Sequence, residues 1–102
     1  MKTTKKMQRL LERMAQIGRM ERGKLCRMGN RPHYNHQSWQ DGHNVVRYVP
    51  AEEVEFLQEA IDGYRQFLQL VESYADEVIK QTRQERQKRF PTRARTKKQR
   101  KA

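Results

Sequence analysis

Cysteine and long apolar runs are scarce in this chain of 102 residues. Cys26 is the single cysteine, so no disulfide can form within the chain, and no evident activating partner would make it a catalytic thiolate. No apolar run approaches the ~18 residues of a membrane span, and the basic start lacks the apolar stretch of a secretory signal. These absences predict a cytoplasmic protein that does not interact with membranes.

Hydrophobic residues make up 34% of the chain, against roughly 45–50% in typical globular proteins. The apolar residues are concentrated in two segments, which favours one small core with solvated ends. Because a core of this size is marginal alone, we expect self-association or docking on a larger protein partner.

Charged residues are abundant in this chain, and the basic and acidic ones lie in separate segments. Residues 1–32 hold 10 Lys/Arg against 2 Asp/Glu, and residues 80–102 hold 11 against 1. Between these ends, residues 51–79 hold 8 Asp/Glu against 1 Arg. Clustered basic charge is the electrostatic footprint of a polyanion-binding protein, so the two basic ends predict contact with nucleic acid. The alternative is that they only keep the chain in solution.

Two segments have the periodicity of amphipathic helices. Apolar residues at three- and four-residue steps predict a helix over residues 4–21, which Thr3 or Thr4 could cap. A second helix is predicted over residues 51–89, directly after Pro50. At ~1.5 Å per residue it would be nearly 60 Å long, so part of it should project or pair with another chain. Its apolar residues follow a heptad pattern: Val54, Leu57, Ile61, Tyr64, Leu68, Val71, Ala75 and Val78.

A β-hairpin is predicted between the helices, over residues 33–49. Asp41-Gly42 is a strong turn signal because glycine adopts positive φ at little cost. The connector over residues 23–32 contains turn and breaker residues. The predicted fold is therefore α+β, with an N-terminal helix, a hairpin and a long helix in one domain over residues 1–90. A basic disordered arm is predicted over residues 91–102.

The aromatic residues of the hairpin could stack on unpaired bases or pack against the long helix. We assign Tyr48 to the helix and keep Tyr34 and Trp39 as candidate nucleic-acid contacts. The basic residues expected to contact phosphate are Arg9, Arg13, Arg22, Arg27, Lys80, Arg83, Arg86, Arg89, Arg93, Arg95, Lys97, Lys98 and Arg100.

Metal binding and catalysis are not expected. Cys26, His33, His36 and His43 lack the spacing of a zinc site, and His33 and His36 would lie on opposite faces of a strand. The glutamates that begin the long helix lack a supporting His, Lys or phosphate-binding loop. They fit the charge preference of a helix N-terminus, so we expect neither enzyme activity nor a cofactor.

The segments Met20–Leu25, Pro32–Tyr34 and Arg47–Pro50, followed by a long helix, resemble a family of small bacterial proteins of unknown function. Members of this family are often found near mobile genetic elements. Typical members carry a Cys-x-Cys cluster before the first strand, and this chain offers only Cys26 there. The resemblance implies a fold and a genomic setting. It does not imply a metal site, a redox property or an activity.

The expected function is that of a non-catalytic nucleic-acid-binding subunit, accessory to a ribonucleoprotein or a mobile-element complex. Binding should be directed by the nucleic-acid backbone and its shape, since no base-reading motif is visible. The alternative is a helical adaptor that dimerises or docks on a larger protein. Its partner-binding residues would be Val54, Leu57, Ile61, Tyr64 and Leu68.

Overall fold

The computed structural model describes residues 2–29 and 33–91, which form an α+β fold as predicted. The three strands make one antiparallel sheet in the order β1-β2-β3. The predicted arm lies outside the described residues except for Pro91. The elements are α1 Lys5–Gln16, β1 Lys24–Arg27, β2 Tyr34–Gln40, β3 His43–Val49, a 3-10 turn at Ala51–Glu53 and α2 Val54–Arg89.

The first helix begins where predicted and ends earlier. The backbone N–H of Met7 donates to Oγ1 of Thr4 at 3.1 Å, which satisfies one of the free N–H groups at the helix start. The helix stops at Gln16 because Ile17 is extended. The predicted end at residue 21 is wrong, since residues 17–23 leave the helix to cross α2.

The sheet has one strand more than the predicted hairpin. The hairpin itself is confirmed: Asp41 and Gly42 have φ values of 48° and 81°, which fit a two-residue turn with positive φ at both positions. The extra strand β1 lies within the predicted connector and pairs with β2, with Lys24 opposite Gln37. Its sequence, Lys-Leu-Cys-Arg, lacks the alternation of apolar and polar residues that indicates a strand.

The two helices pack antiparallel. Near one end, the Lys6 ammonium lies 3.2 Å from the Glu77 carboxylate. Nearby, Nε2 of Gln81 donates to the carbonyl oxygen of Lys2 at 2.8 Å. Met7 and Leu10 of α1 and Leu70 of α2 are buried, so apolar burial holds this pair together.

The connector between α1 and β1 crosses α2 at close range. The N–H of Glu21 donates to the carbonyl oxygen of Ala60 at 2.9 Å. A Cβ at Gly63 would collide with the carbonyl oxygen of Arg19, so the absence of a side chain at Gly63 lets the two backbones meet.

The sheet packs on the N-terminal half of α2. Val49 of β3 and Ala60 and Ile61 of α2 are buried there. Buried Nε2 of His36 donates to the carbonyl oxygen of Arg22 at 2.7 Å, which ties the central strand to the connector. At the other end of α2, residues 82–89 are all exposed, and the molecule is 64 Å long. The expectation that part of this helix projects is therefore met.

Candidate nucleic-acid interface

The antiparallel helix pair brings basic residues from both ends of the chain together. The hydrogen bond from Gln81 to Lys2 places the start of the chain beside the last turns of α2. Exposed basic side chains from both segments therefore lie at one end of the molecule. This set, called the basic end below, consists of Lys2, Lys5, Lys80, Arg83, Arg86 and Arg89.

The four members on α2 follow one another at three-residue steps and form a ridge that winds half-way around the projecting helix. Among them, Arg89 forms an ion pair with Glu85, with 3.0 Å between the guanidinium and the carboxylate. Such exposed pairs contribute roughly 0–1 kcal/mol, so a phosphate can displace this one. The ridge also suits the negative end of the helix dipole, which is the alternative reason for its charge.

Arg9 and Arg13 continue the basic surface along α1. Both are exposed, and helical periodicity places them away from the buried Met7 and Leu10. Arg9 lies on the outward face of α1, whereas Arg13 also lines the cleft beside α2. The predicted second basic patch of Arg9, Arg13, Arg22 and Arg27 is spread over α1, the connector and β1.

Two arginines of the connector have intramolecular partners. The Arg22 guanidinium lies 5.1 Å from the centre of the Tyr64 ring, within the range of a cation–π contact. Arg19 lies 4.3 Å from the centre of the Phe56 ring and 2.8 Å from the Glu59 carboxylate. Arg22 was predicted as a phosphate contact, and this geometry gives it a role in fixing the connector on α2. Arg27 is exposed at the end of β1.

The sheet has one face toward α2 and one face toward solvent. The buried residues His36, Ser38 and Val49 lie on the face toward α2, and the two-residue period of a strand turns their neighbours to the other face. Trp39 and Tyr48 on this face are 70% and 60% exposed. The face, called the outer sheet face below, consists of Lys24, Cys26, Asn35, Gln37, Trp39, Asn44, Val46 and Tyr48.

Two aromatic predictions need correction. Tyr48 was assigned to packing against α2, but the neighbouring Val49 is the residue that is buried there, and alternation turns Tyr48 outward. Tyr34 is paired with Val49 and is half-buried on the face toward α2. It therefore does not share a surface with Trp39, and Tyr48 is the second exposed ring on the outer sheet face.

The predicted partner-binding stripe is divided by the fold. Ile61 is only 1% exposed, so it belongs to the core of its own chain and cannot contact a partner while that core is folded. Val54, Leu57 and Tyr64 are half-buried in the same region. Leu68 is 46% exposed, and Val71 and Ile79 beyond it are also exposed. These last three residues are called the open stripe below.

A cleft of about 610 Å³ lies where α1 ends beside α2. It is lined by Arg13, Glu59, Asp62 and neighbouring residues. Glu59 accepts from Arg19 at 2.8 Å, and Asp62 accepts from Gln58 Nε2 at 2.9 Å, so both carboxylates already have hydrogen-bond partners. Across residues 2–29 and 33–91, no three His, Cys, Asp or Glu side chains are grouped to hold a metal ion.

No helix in the described part of the chain is long and apolar enough to cross a membrane.

The predicted contacts Arg93, Arg95, Lys97, Lys98 and Arg100 lie outside the described residues. The candidate interface consequently consists of the basic end, the outward face of α1 and the outer sheet face. Tyr48 was missed because strand alternation alone does not say which face a helix covers. Comparison of the chain with protein-family models, curated proteins and solved structures gives no significant match, so the family resemblance stays a prediction.

Proposed function

We propose that this chain is a non-catalytic nucleic-acid-binding accessory subunit that contacts backbone phosphates through its basic end. The observation that carries the proposal is the convergence of Lys2 and Lys5 with the arginine ridge of α2 at one end of the molecule. A basic residue that neutralises a phosphate releases condensed counterions, which favours binding at low salt.

The division of charge along α2 supports contact at one end. Eight acidic residues lie within residues 51–79, and the basic ridge follows directly. Phosphates are repelled by the acidic stretch and attracted to the projecting end. Lys and Arg side chains that contact phosphate carry no sequence information, so binding at the basic end is directed by backbone and shape. The proposed setting is a ribonucleoprotein or a mobile-element complex in the cytoplasm.

The test is the salt dependence of binding. We expect the affinity for short duplex DNA to fall steeply between about 50 and 200 mM salt, with a slope that reports the number of phosphates neutralised. Replacing Lys80, Arg83, Arg86 and Arg89 together by glutamine should weaken binding on the order of tenfold to 100-fold and flatten the slope by about 3 to 4. Fluorescence anisotropy at several salt concentrations measures both quantities.

The matched control is the double variant Gln84→Ala and Gln87→Ala. It alters the same exposed helix segment and leaves the charge unchanged, so its affinity and slope should equal those of the unaltered chain. Weak binding that is insensitive to salt, or equal slopes for the glutamine variant and the unaltered chain, would contradict the proposal.

A second candidate function is that of a helical adaptor, and the open stripe favours it. Leu68, Val71 and Ile79 are exposed apolar residues on the half of α2 that the sheet does not cover. Exposed apolar surface of this kind marks sites of protein association.

If the chain self-associates through this stripe, light scattering should find an oligomer that Leu68→Asp converts to a monomer. Gln69→Asp is the control, because it places the same charge at the next exposed position of the same helix. An unaltered chain that is monomeric at high concentration rules out self-association. Loss of the oligomer in both variants would mean that the added negative charge, and not the loss of an apolar contact, separates the chains.

A further inference from the structure

We propose that the outer sheet face is a binding site for unpaired nucleic-acid bases, with Trp39 and Tyr48 as stacking platforms. The proposal rests on the proposed function and names its ligand more closely: a single strand of RNA or DNA. It concerns a surface that is separate from the basic end.

The exposure of the two rings is the first observation. A tryptophan and a tyrosine that are 70% and 60% exposed on a small sheet leave large apolar surfaces in water. The Tyr48 ring also lies beside that of His33, with 5.9 Å between the ring centres and a tilt of 55°. Aromatic side chains have only two χ angles, so little conformational freedom is lost when a base stacks on them.

The spacing of the rings is the second observation. Tyr48 is paired with Asn35, and Trp39 with Asn44. The two rings therefore lie on neighbouring strands, and four residues separate them along the strand direction. Strand geometry sets this separation at about 14 Å. Successive bases of a duplex strand are only ~3.4 Å apart, so each ring would take a base of its own. Both bases must be unstacked to reach the sheet, which requires an unpaired strand.

The surroundings of the rings are the third observation. Between and beside them lie the amide side chains of Asn35, Gln37 and Asn44, which can donate to and accept from base edges. None of the residues that the structure places in β1, β2 and β3 is acidic, and Lys24 supplies a positive charge on this face.

A pocket of about 400 Å³ adjoins Trp39. Its lining includes Arg22, Ser38 and Gln40, together with the carboxylates of Glu21 and Asp41. Ser38 and Gln40 lie on the face toward α2, so this pocket lies at the edge of the sheet beside Trp39, and its two carboxylates would repel a phosphate there. We therefore expect the phosphates of the bound nucleic acid to lie toward β1, where Lys24 is located.

The sheet and the basic end lie at opposite ends of the described molecule. The sheet packs near Ile61, and the basic ridge begins at Lys80, which is 19 residues or about 28 Å farther along α2. The two surfaces can therefore be tested separately. The basic end should bind single strands and duplexes alike, whereas the outer sheet face should bind single strands alone.

Trp39 is the single tryptophan of the chain, so its fluorescence reports on this face directly. The test titrates the full chain with single-stranded oligouridylate and oligothymidylate, and with duplexes of equal length, at one salt concentration. We expect single strands to quench Trp39 and duplexes to leave its emission nearly unchanged. Trp39→Ala and Tyr48→Ala should each weaken single-strand binding roughly 5- to 150-fold, with duplex affinity unchanged.

Tyr48→Phe is the matched control, because it keeps the ring and should bind as the unaltered chain does. The alanine changes are at exposed positions and should leave the melting temperature within a few degrees of the original, which circular dichroism checks. Three outcomes overturn this proposal and leave the proposed function standing: equal binding of single strands and duplexes, single-strand binding without quenching, or alanine variants that bind single strands normally. A protein would then be the better candidate occupant of this face. Absence of all nucleic-acid binding at low salt overturns both.

Discussion

Replacing Gly23 by alanine should lower the free energy of unfolding by about 2–5 kcal/mol. Two costs combine at this residue. Its φ of 97° is a conformation that residues with a side chain rarely adopt, at a cost of roughly 1–2 kcal/mol. A Cβ would also collide with the carbonyl oxygen of Gln37 in β2 and lie 2.9 Å from Nε2 of His36. Because that oxygen belongs to the backbone of the central strand, the strand or the connector must move, at about 1–3 kcal/mol.

Gly42→Ala separates these two costs. Gly42 has a φ of 81°, and no heavy atom in the described part of the chain lies within 4 Å of the place its Cβ would take. This variant should therefore lose only the roughly 1–2 kcal/mol that a positive φ costs a residue with a side chain. Urea or thermal unfolding measures both variants, and each 1 kcal/mol corresponds to roughly 4–8 °C in melting temperature for a chain of this size. Equal losses in the two variants would show that the close approach of Gly23 to β2 contributes nothing.

The expected loss matters for function because Gly23 lies where the connector meets the sheet. The carbonyl oxygen of Arg22, one residue earlier, accepts from buried His36. The Arg22 guanidinium in turn lies over the ring of Tyr64 in α2. Displacement of the connector would thus disturb the attachment of the sheet to α2, and with it the position of Trp39 relative to the basic end.

Local signals in the sequence account for much of the fold. Thr4 begins the first helix, Asp41-Gly42 turns the hairpin, and glutamates follow Pro50 at the start of the long helix. Each is a preference of a few neighbouring residues, and no distant contact opposes it. The end of α1 at Gln16 and the strand β1 were not predicted, because both depend on where the connector crosses the rest of the molecule.

The candidate interface was predicted in its composition and not in its arrangement. The two basic ends are visible as charge blocks, but their convergence follows from antiparallel packing of α1 on α2 through Met7, Leu10 and Leu70. The pattern of the hairpin separates Trp39 from Tyr34, yet periodicity does not identify the face that α2 covers. One buried residue, Val49, decides this, because its burial turns Tyr48 into solvent.

The heptad pattern of α2 likewise predicts burial without identifying the surface that covers the helix. A regular stripe of apolar residues shows that something covers a helix, and it does not distinguish the chain's own sheet from a second chain. In the structure the stripe is buried at Ile61, exposed at Leu68 and Val71, and half-buried again at Ala75 and Val78. One stripe therefore has two environments, which differ in the cost of truncating a side chain.

Ile61→Ala should accordingly lower the free energy of unfolding by about 2–5 kcal/mol, as for other large residues truncated in a core. Ile61 is 1% exposed, so the substitution removes buried methyl groups and leaves a cavity in the core. Leu68→Ala is the control at a 46% exposed position of the same stripe, and it should cost about 1 kcal/mol or less.

The dependence on protein concentration separates a core from an interface. If Ile61 packs within one chain, the loss in Ile61→Ala should be the same in dilute and concentrated samples, because unfolding of a monomer does not depend on concentration. Chemical unfolding followed by circular dichroism at widely different concentrations checks this. A loss that shrinks as the protein is diluted would instead mean that a second chain covers the stripe around Ile61, because dilution separates the chains and removes that contact from the unaltered protein as well. The helical adaptor would then be the better supported function, because the residues around Ile61 would belong to the contact between chains.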